Sequence, residues 1–173
     1  MSKNERDSKV NDLKKIYVDY SQFGEKLYKL YQKILRGGLP SKIIGIASGG
    51  INLSRPLAEW LGIHHIGVSI HFYDENKNVL SKPFFASVPP IPKDWTDLLI
   101  VDDIVDSGRT IKYFIDKTGL KQGVNFRIAS LHWNPKGKYG IKPDYFIERK
   151  PANSWIVYPW EGEFTETFEY RRA

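Results

Sequence analysis

Residues 98–110 read LLIVDDIVDSGRT and pass from an apolar run to acids and then to a turn sequence. A short continuous apolar run such as 98–101 is typical of a strand buried on both faces of a parallel sheet. The Ser-Gly pair at 107–108 predicts a tight turn that opens a helix over 107–120. Strands that lead through turns into helices build α/β folds, so this stretch indicates the fold class.

The rest of the chain alternates strand and helix in the same way. Ser21 is predicted to cap a first helix whose apolar face runs from Phe23 to Leu35 and which ends at Gly37-Gly38. A second helix is predicted after the glycine turn at 48–50, ending at Gly62. Further strands are predicted at 42–48, 64–73, 97–103 and 125–133, with shorter apolar pieces at 143–148 and 155–160. We therefore expect an α/β fold with a mainly parallel, twisted sheet flanked by helices.

The length of 173 residues fits a single domain over 1–173. The polar residues 1–12 are predicted to form a flexible tail. Residues 74–95 are first polar and then rich in proline, and they are long for a connection inside a compact domain. We expect this segment to be a flexible lid loop.

Composition excludes several classes of protein. The chain has no cysteine, which excludes disulfides and thiolate metal sites. It has no apolar run long enough to span a bilayer, and its N-terminus is too polar for a secretory signal, so a cytoplasmic location is expected. The net charge of +6 suits an anionic partner, but there is no block of consecutive basic residues. This pattern favours solvated helix faces over a polyanion site, and no DNA partner is expected.

Two adjacent acids, Asp102 and Asp103, stand at the end of the strand, where mutual repulsion and burial both disfavour their charged forms. A ligand that offsets this repulsion is therefore expected. Magnesium ion prefers carboxylate oxygens, and ribose hydroxyls donate to them. The following turn, 106–110, combines a close-approach glycine, hydroxyl side chains and a helix start, which together form a cradle for a phosphate. Neither a Walker loop nor a dinucleotide fingerprint is present. A phosphorylated sugar fits both halves of the motif.

The stretch LLIVDDIVDSGRT resembles the signature of the type I phosphoribosyltransferases, which use phosphoribosyl pyrophosphate (PRPP). IIGIASGG, residues 43–50, lies where that family has its pyrophosphate loop. WIVYPWE, residues 155–161, is similar to the C-terminal segment of the bacterial xanthine-guanine and hypoxanthine-guanine enzymes. The resemblance implies the family's fold with a small C-terminal hood, Mg²⁺ as cofactor, and formation of a nucleoside 5′-monophosphate and pyrophosphate from PRPP and a purine base in purine salvage.

For the PRPP site, the resemblance implies that Asp102 and Asp103 contact the ribose hydroxyls, directly or through Mg²⁺, so that both are candidate metal ligands. It assigns the 5′-phosphate to Asp106, Ser107, Gly108, Arg109 and Thr110, and the pyrophosphate to Ser48, Gly49 and Gly50.

For the base, the resemblance implies that Trp155 stacks on the purine and that the backbone near Ile156 reads its edge. Asp106 is the candidate catalytic residue, because purines lose a proton on substitution and a nearby carboxylate can accept it. The alternative to base stacking is that Trp155 is a tryptophan of the hydrophobic core. His71 and His132 lie near strand ends, where each could line the pocket.

Two positions depart from the family pattern. Ser48 stands where the purine enzymes usually have Lys or Arg, and Arg55, Lys82 or a neighbouring subunit could supply the missing charge. Asn134 stands where the 6-oxopurine enzymes usually have a Lys that donates to O6. Guanine, xanthine or hypoxanthine is the expected base, and Asn134 leaves adenine open because an amide can donate to O6 or accept from an amino group. Lys136 and Lys138 are close enough in sequence to compensate.

A second function stays open at this stage. The chain could be a regulator that senses PRPP on the same fold and binds RNA through its basic N-terminal surface; Ser48 is the feature that favours it. The aromatic helix and the family's habit both suggest a homo-oligomer, either a dimer or a tetramer.

Overall fold

The computed structural model of the protein describes residues 13–73, 79–87, 91–92, 95–120 and 126–161. The predicted tail at 1–12 and part of the predicted lid lie outside the described residues. In chain order the elements are β1 (Lys14–Tyr17), α1 (Tyr20–Arg36), β2 (Lys42–Ala47), α2 (Gly49–Leu61), β3 (His64–Tyr73), β4 (Val79–Ser87), β5 (Leu98–Val101), β6 (Ile104–Val105), α3 (Arg109–Thr118), β7 (Phe126–Trp133), β8 (Tyr145–Arg149) and β9 (Ser154–Val157).

The main sheet confirms the predicted α/β class. Its strands run in the order β4-β3-β2-β5-β7, and β6 and β8 both pair with β7. All the pairs are parallel except β3 with β4. Because the four central strands are parallel, their carboxyl ends meet at one edge, which is where such sheets bind ligands.

Apolar side chains cover both faces of this sheet, as the continuous apolar strands require. Alternate residues point to opposite faces, so Ile43 packs with α1 and α2 while Ile44 packs with α3. Leu99 and Ile100 divide in the same way on β5. All four are essentially inaccessible to solvent. The two layers of core therefore hold β2 and β5 rigidly beneath the loops that follow them.

The helix starts differ slightly from the prediction. The cap of α1 is Asp19 and not Ser21: the Asp19 side chain accepts from the backbone N–H of Gln22, and the Gln22 side chain accepts from the N–H of Asp19. This reciprocal pair satisfies two N–H groups, which a serine two residues later cannot do. Helix α3 begins at Arg109, with Gly108 at its cap in a left-handed conformation, φ 80°.

The prediction of one continuous loop over 74–95 is wrong for its middle part. Residues 79–87 form β4, which pairs with β3 in antiparallel fashion, with register shifts between Ser69 and Ile70 and between His71 and Tyr73. Sequence reasoning missed this strand because it contains Pro83, and proline is accepted in strands mainly at sheet edges and bulges. The pairing makes β4 the edge of the main sheet.

A second, two-stranded sheet joins the two ends of the described chain. β1 pairs in parallel with β9, with Ile16 opposite Ile156, and the backbone N–H of Val18 continues the ladder by donating to Val157 at 2.9 Å. Sequence reasoning missed β1 because two of its residues are lysines and it is only four residues long. We call β1 and β9 together the hood sheet. It carries the C-terminal segment expected for the hood.

Candidate active site

A cavity of about 600 Å³ opens at the carboxyl ends of the parallel strands. It brings together three regions far apart in sequence, which are the acids with the turn 106–110 that follows them, the first glycine loop and the hood sheet. Its lining comprises Ala47, Ser48, Gly49, Ser69, Ile70, Asp102, Asp103, Ile104, Val105, Asp106, Ser107, Gly108, Thr110, Ile111, Lys150, Trp155, Ile156, Tyr158 and Glu161. The predicted residues Gly50, Arg109 and Asn134 lie next to this lining rather than in it.

Asp102 and Asp103 leave the end of β5 and both face the cavity. Burial raises the pKa of both carboxyls above the ordinary value, and the charge of Asp103 raises that of Asp102 further. The charge of Glu161 also raises the pKa of Asp103, while the N–H of Ile104, which donates to it at 2.7 Å, acts in the other direction. The pair is therefore a compact source of negative potential that a cation or a donor can relieve.

The backbone carbonyl of Asp103 is held by three donors. The N–H groups of Leu131 and His132 donate to it at 3.0 and 3.2 Å, and the hydroxyl of Tyr158 donates at 3.0 Å. Tyr158 is almost completely buried and stacks on Trp160 with ring centroids 4.9 Å apart. These contacts tie the acidic turn to β7 and to the segment after the hood sheet.

The glycine loop at the end of β2 lies directly against the acids. A Cβ added at Gly49 would overlap the Asp103 carboxylate, and one added at Gly50 would overlap the carbonyl of Val101. Ser48 precedes them after a cis peptide bond from Ala47. Only residues without side chains fit here, which explains the Gly-Gly pair and leaves backbone N–H groups to serve as donors.

The turn 106–110 passes from β6 into α3. Ser107 accepts from the N–H of Arg109 at 3.2 Å, and its carbonyl accepts from Tyr139 at 3.0 Å. Gly108 supplies the left-handed conformation, and Ile141 packs so close to it that a Cβ would lie 2.9 Å away. The first N–H groups of a helix have no intrahelical acceptor, so the start of α3 offers the predicted anion cradle with Thr110 at the cavity wall.

Asp106 is held by two side chains from neighbouring strand ends. The amide of Asn134 donates to its Oδ1 at 2.7 Å, and the ammonium of Lys150 donates to its Oδ2 at 2.8 Å. Lys150 also lines the cavity, whereas Asn134 lies behind Asp106. Sequence reasoning missed Lys150, although it follows a parallel strand directly, and that position alone could have marked it.

The hood sheet supplies the opposite wall of the cavity. Trp155 and Ile156, the predicted base-binding residues, both line it. Glu161 lines it as well and accepts from the N–H of Tyr158 at 3.3 Å. Glu161 is not among the site residues expected from the sequence, and it adds a fourth acid to the lining beside Asp102, Asp103 and Asp106.

His132 does not line the cavity but lies buried behind it. Its Nδ1 is 2.7 Å from the Tyr158 hydroxyl, which also lies 3.0 Å from the Asp103 carbonyl oxygen. Its Nε2 lies 3.5 Å from Glu148, which is paired with Lys26. Burial and the charge of Lys26 lower the pKa of His132 to about 4, so the ring is neutral near pH 7.

The residues expected to compensate for Ser48 and Asn134 lie elsewhere, or outside the described side chains. Arg55 is exposed and pairs with Glu59 along α2 at 2.7 Å. Lys136 and Lys138 are exposed in the loop after β7. The side chains of Lys82 and His71 lie outside the described part of the structure.

The site can be tested for a metal from its own donors. Among the described residues no group of three or more metal-ligating side chains occurs. Magnesium ion typically takes one or two carboxylates and completes its shell with water and substrate phosphates. The adjacent Asp102 and Asp103, whose repulsion a cation relieves, fit this requirement.

Within the described residues no helix is long and apolar enough to cross a membrane.

Comparison with known proteins agrees with this geometry. The sequence is 29% identical over 120 residues to the xanthine-guanine phosphoribosyltransferase of Gluconobacter oxydans (strain 621H), covering 69% of this chain and 67% of that protein. The fold is similar to that of a purine phosphoribosyltransferase from Pyrococcus horikoshii Ot3, with TM-score 0.69, 32% identity and coverage of 85% and 94% of the two chains.

A further similar structure is the xanthine-guanine-hypoxanthine phosphoribosyltransferase of Helicobacter pylori, with TM-score 0.71, 22% identity and coverage of 88% and 97%. At that identity the likeness is one of fold alone. The sequence model of the phosphoribosyl transferase domain matches residues 15–164, which is most of the chain. The protein therefore belongs to the phosphoribosyltransferase family of enzymes.

Proposed function

We propose that the protein transfers the 5-phosphoribosyl group of PRPP to a purine base, with guanine, xanthine or hypoxanthine favoured. The products are a nucleoside 5′-monophosphate and pyrophosphate. The observation that carries the proposal is the shared cavity, in which the acidic pair, the helix-start turn and Trp155 face one another. A phosphorylated ribose fits the first two, and a flat aromatic base fits the third.

The described residues give each part of the reactants a partner. The turn 106–110 and the start of α3 hold the 5′-phosphate, and Asp102 and Asp103 accept from the ribose hydroxyls or hold Mg²⁺. The backbone at Ser48 to Gly50 donates to pyrophosphate. Bound Mg²⁺ supplies positive charge that balances the acids and the leaving group. Catalysis in this arrangement is mainly orientation and electrostatic stabilisation.

Asp106 is the proposed proton acceptor. A purine attacks C1 of the ribose through N9 while N7 carries a proton; the C1–N9 bond forms, and the bond from C1 to the pyrophosphate oxygen breaks. The base then has one proton too many, and N7 gives it to the Asp106 carboxylate. Lys150 and Asn134 hold both oxygens of Asp106, so its position is fixed before the base arrives.

The direct test is to incubate the protein with Mg²⁺, PRPP and each of adenine, guanine, hypoxanthine and xanthine, and to follow nucleotide formation by chromatography. We expect turnover with the 6-oxopurines. Lack of turnover with every purine, together with salt-sensitive RNA binding, would overturn the proposal in favour of the regulator.

Asp106→Asn is expected to reduce kcat by about 10²–10³-fold while PRPP affinity changes little, since general bases contribute on that order. Asp116→Asn on α3 is a matched control, because it removes the same charge from a side chain outside the cavity. Unchanged kcat in Asp106→Asn would remove Asp106 from its proposed role.

A further inference from the structure

Lys150 differs from other basic residues of the protein in its placement. Its side chain is only 12% exposed, its Nζ lies 2.8 Å from Asp106 Oδ2, and it lines the cavity. Within the described part of the chain it is the one lysine or arginine in that lining. A lysine held in this way is a built element of the site and not a solvated surface charge.

The backbone fixes this placement. Asp106, Asn134 and Lys150 each follow directly after one of three neighbouring parallel strands, β6, β7 and β8. Ladder bonds continue into these ends: Asn134 N–H donates to Val105 at 2.9 Å, and Lys150 N–H donates to Trp133 at 2.8 Å. The three side chains are therefore set side by side by the sheet itself.

Hydrogen-bonding capacity remains on both partners of the Lys150–Asp106 pair. An ammonium has three N–H donors, and the contact with Asp106 uses one of them. A carboxylate offers about four acceptor positions, and Asn134 and Lys150 use two of those on Asp106. The pair thus presents a donor beside an acceptor to whatever enters the cavity.

Asn134 has one N–H donor left, on a side chain that is not part of the cavity lining. Its carbonyl oxygen accepts from the N–H of Lys136 at 3.0 Å, which fixes the orientation of the amide, and its NH₂ group donates to Asp106. It therefore serves chiefly to orient Asp106. Of the two side chains, Lys150 is the one with donors directed at the cavity.

The edge of a 6-oxopurine matches this arrangement. In guanine and hypoxanthine the carbonyl O6, an acceptor, is adjacent to N7, which carries the proton during attack through N9. In adenine the amino group at that position is a donor and meets the ammonium donor to donor. Building on the proposed function, we propose that Lys150 is a specificity-determining residue that donates to O6 while Asp106 accepts from N7.

The test is a double-mutant type of cycle, in which one change removes the donor from the enzyme and the other removes the acceptor from the base. The kcat/KM values of wild type and Lys150→Met are measured with hypoxanthine and with unsubstituted purine, which has hydrogen in place of O6. We expect the kcat/KM of Lys150→Met to fall about 10²-fold with hypoxanthine, because a charged hydrogen bond is lost, and less than fivefold with purine. Lys150→Arg should retain most of the discrimination between hypoxanthine and adenine.

Lys136→Met and Lys138→Met are matched controls, because they remove the same charge from nearby exposed lysines. PRPP affinity and Tm, measured on every variant, separate loss of base recognition from loss of the fold. Equal losses with hypoxanthine and purine would overturn the role of Lys150, and so would unchanged discrimination against adenine. Absence of activity in the wild type would instead refute the proposed function. If Lys150→Met does not fold, Lys150→Gln enters the same cycle.

Discussion

The contact between Gly49 and Asp103 is the tightest requirement at the level of single residues. The Asp103 carboxylate occupies the space that a side chain at position 49 would need, and it accepts from Ile104 at 2.7 Å. Moving the carboxylate aside would break that hydrogen bond. The glycine loop and the acid pair therefore depend on each other for their positions.

Gly49→Ala is expected to lower PRPP affinity by at least about tenfold, because its methyl group displaces Asp103 and the backbone donors together. Isothermal titration with PRPP and Mg²⁺ measures this directly. The matched control is Gly24→Ala in α1, where nothing lies within 4 Å and the helix should gain about 0.5–1 kcal/mol. PRPP binding by Gly49→Ala at wild-type affinity would show that the loop can adjust.

The sequence revealed the residues that lie together in the chain and missed those that only folding brings together. Asp102 to Thr110 form one strand, turn and helix start, so their spacing alone indicated a phosphate and a sugar. Lys150, Tyr158 and Glu161 reach the cavity from elsewhere, and no local pattern relates them to Asp106 or Asp103. Asn134 was expected at the base, whereas in the structure its amide holds Asp106.

At the level of elements, His132 of β7 contacts the segment that follows the hood sheet, and it is linked to α1 through Glu148. Its ring contacts Tyr158 on one side and Glu148 on the other, and Glu148 is paired with Lys26 of α1. Burial and Lys26 lower the pKa of His132 from 6.5 to about 4. The folded state therefore disfavours a protonated His132 ring at this contact.

The stability that His132 contributes is expected to be fully present above pH 6.5 and to fall as the pH drops from 6.5 towards 4, because the unfolded chain binds the proton more tightly. The full difference, for a pKa lowered from 6.5 to about 4, is roughly 3 kcal/mol. Chemical denaturation from pH 4 to pH 8, with and without His132→Asn, measures it.

The raised pKa values of Asp102 and Asp103 change stability with the opposite sign, because the folded state then binds protons more tightly than the unfolded chain. The contribution of His132 is accordingly the difference between the wild-type and His132→Asn profiles. Parallel profiles would contradict the lowered pKa of His132.

The long and strongly apolar elements were predicted well, and the short ones were not. β2 and β5 are apolar throughout or nearly so, and their burial follows from that. β1 and β4 are recognisable only through their partners: β1 has four residues and needs β9, and β4 contains a proline and needs β3. Pairing between segments as far apart in sequence as β1 and β9 leaves little trace in either of them.

At the scale of the molecule, the hood sheet connects the base wall to the beginning of the chain. Lys14 N–H donates to Asn153 at 3.1 Å and Val18 N–H to Val157 at 2.9 Å. The alternation of a parallel ladder assigns the N–H of Ile16 to the carbonyl of Trp155. β1 thus supports the proposed stacking residue directly.

The expected homo-oligomer and the expected cytoplasmic location both stay predictions.

Ile16→Pro is expected to raise the KM for the base about tenfold while the Kd for PRPP stays within twofold, because it removes the ladder bond to Trp155 and leaves the main sheet intact. Steady-state kinetics and titration measure the two constants. Lys15→Pro is the matched control, since the N–H of that residue lies on the other edge of β1. Equal effects of the two proline substitutions on the KM for the base would contradict the ladder hydrogen bond assigned to Ile16 and Trp155.

The hood sheet also bears on how the protein is made. β1 is translated first among the described strands and β9 last, so the wall with Trp155 and Ile156 cannot form until all the other described strands have been made. A nascent chain released from the ribosome as far as Pro151 already contains both acids, the phosphate turn and Lys150. The residues proposed to hold phosphate and sugar are therefore synthesised before the strand that pairs with β1 and completes the wall for the base.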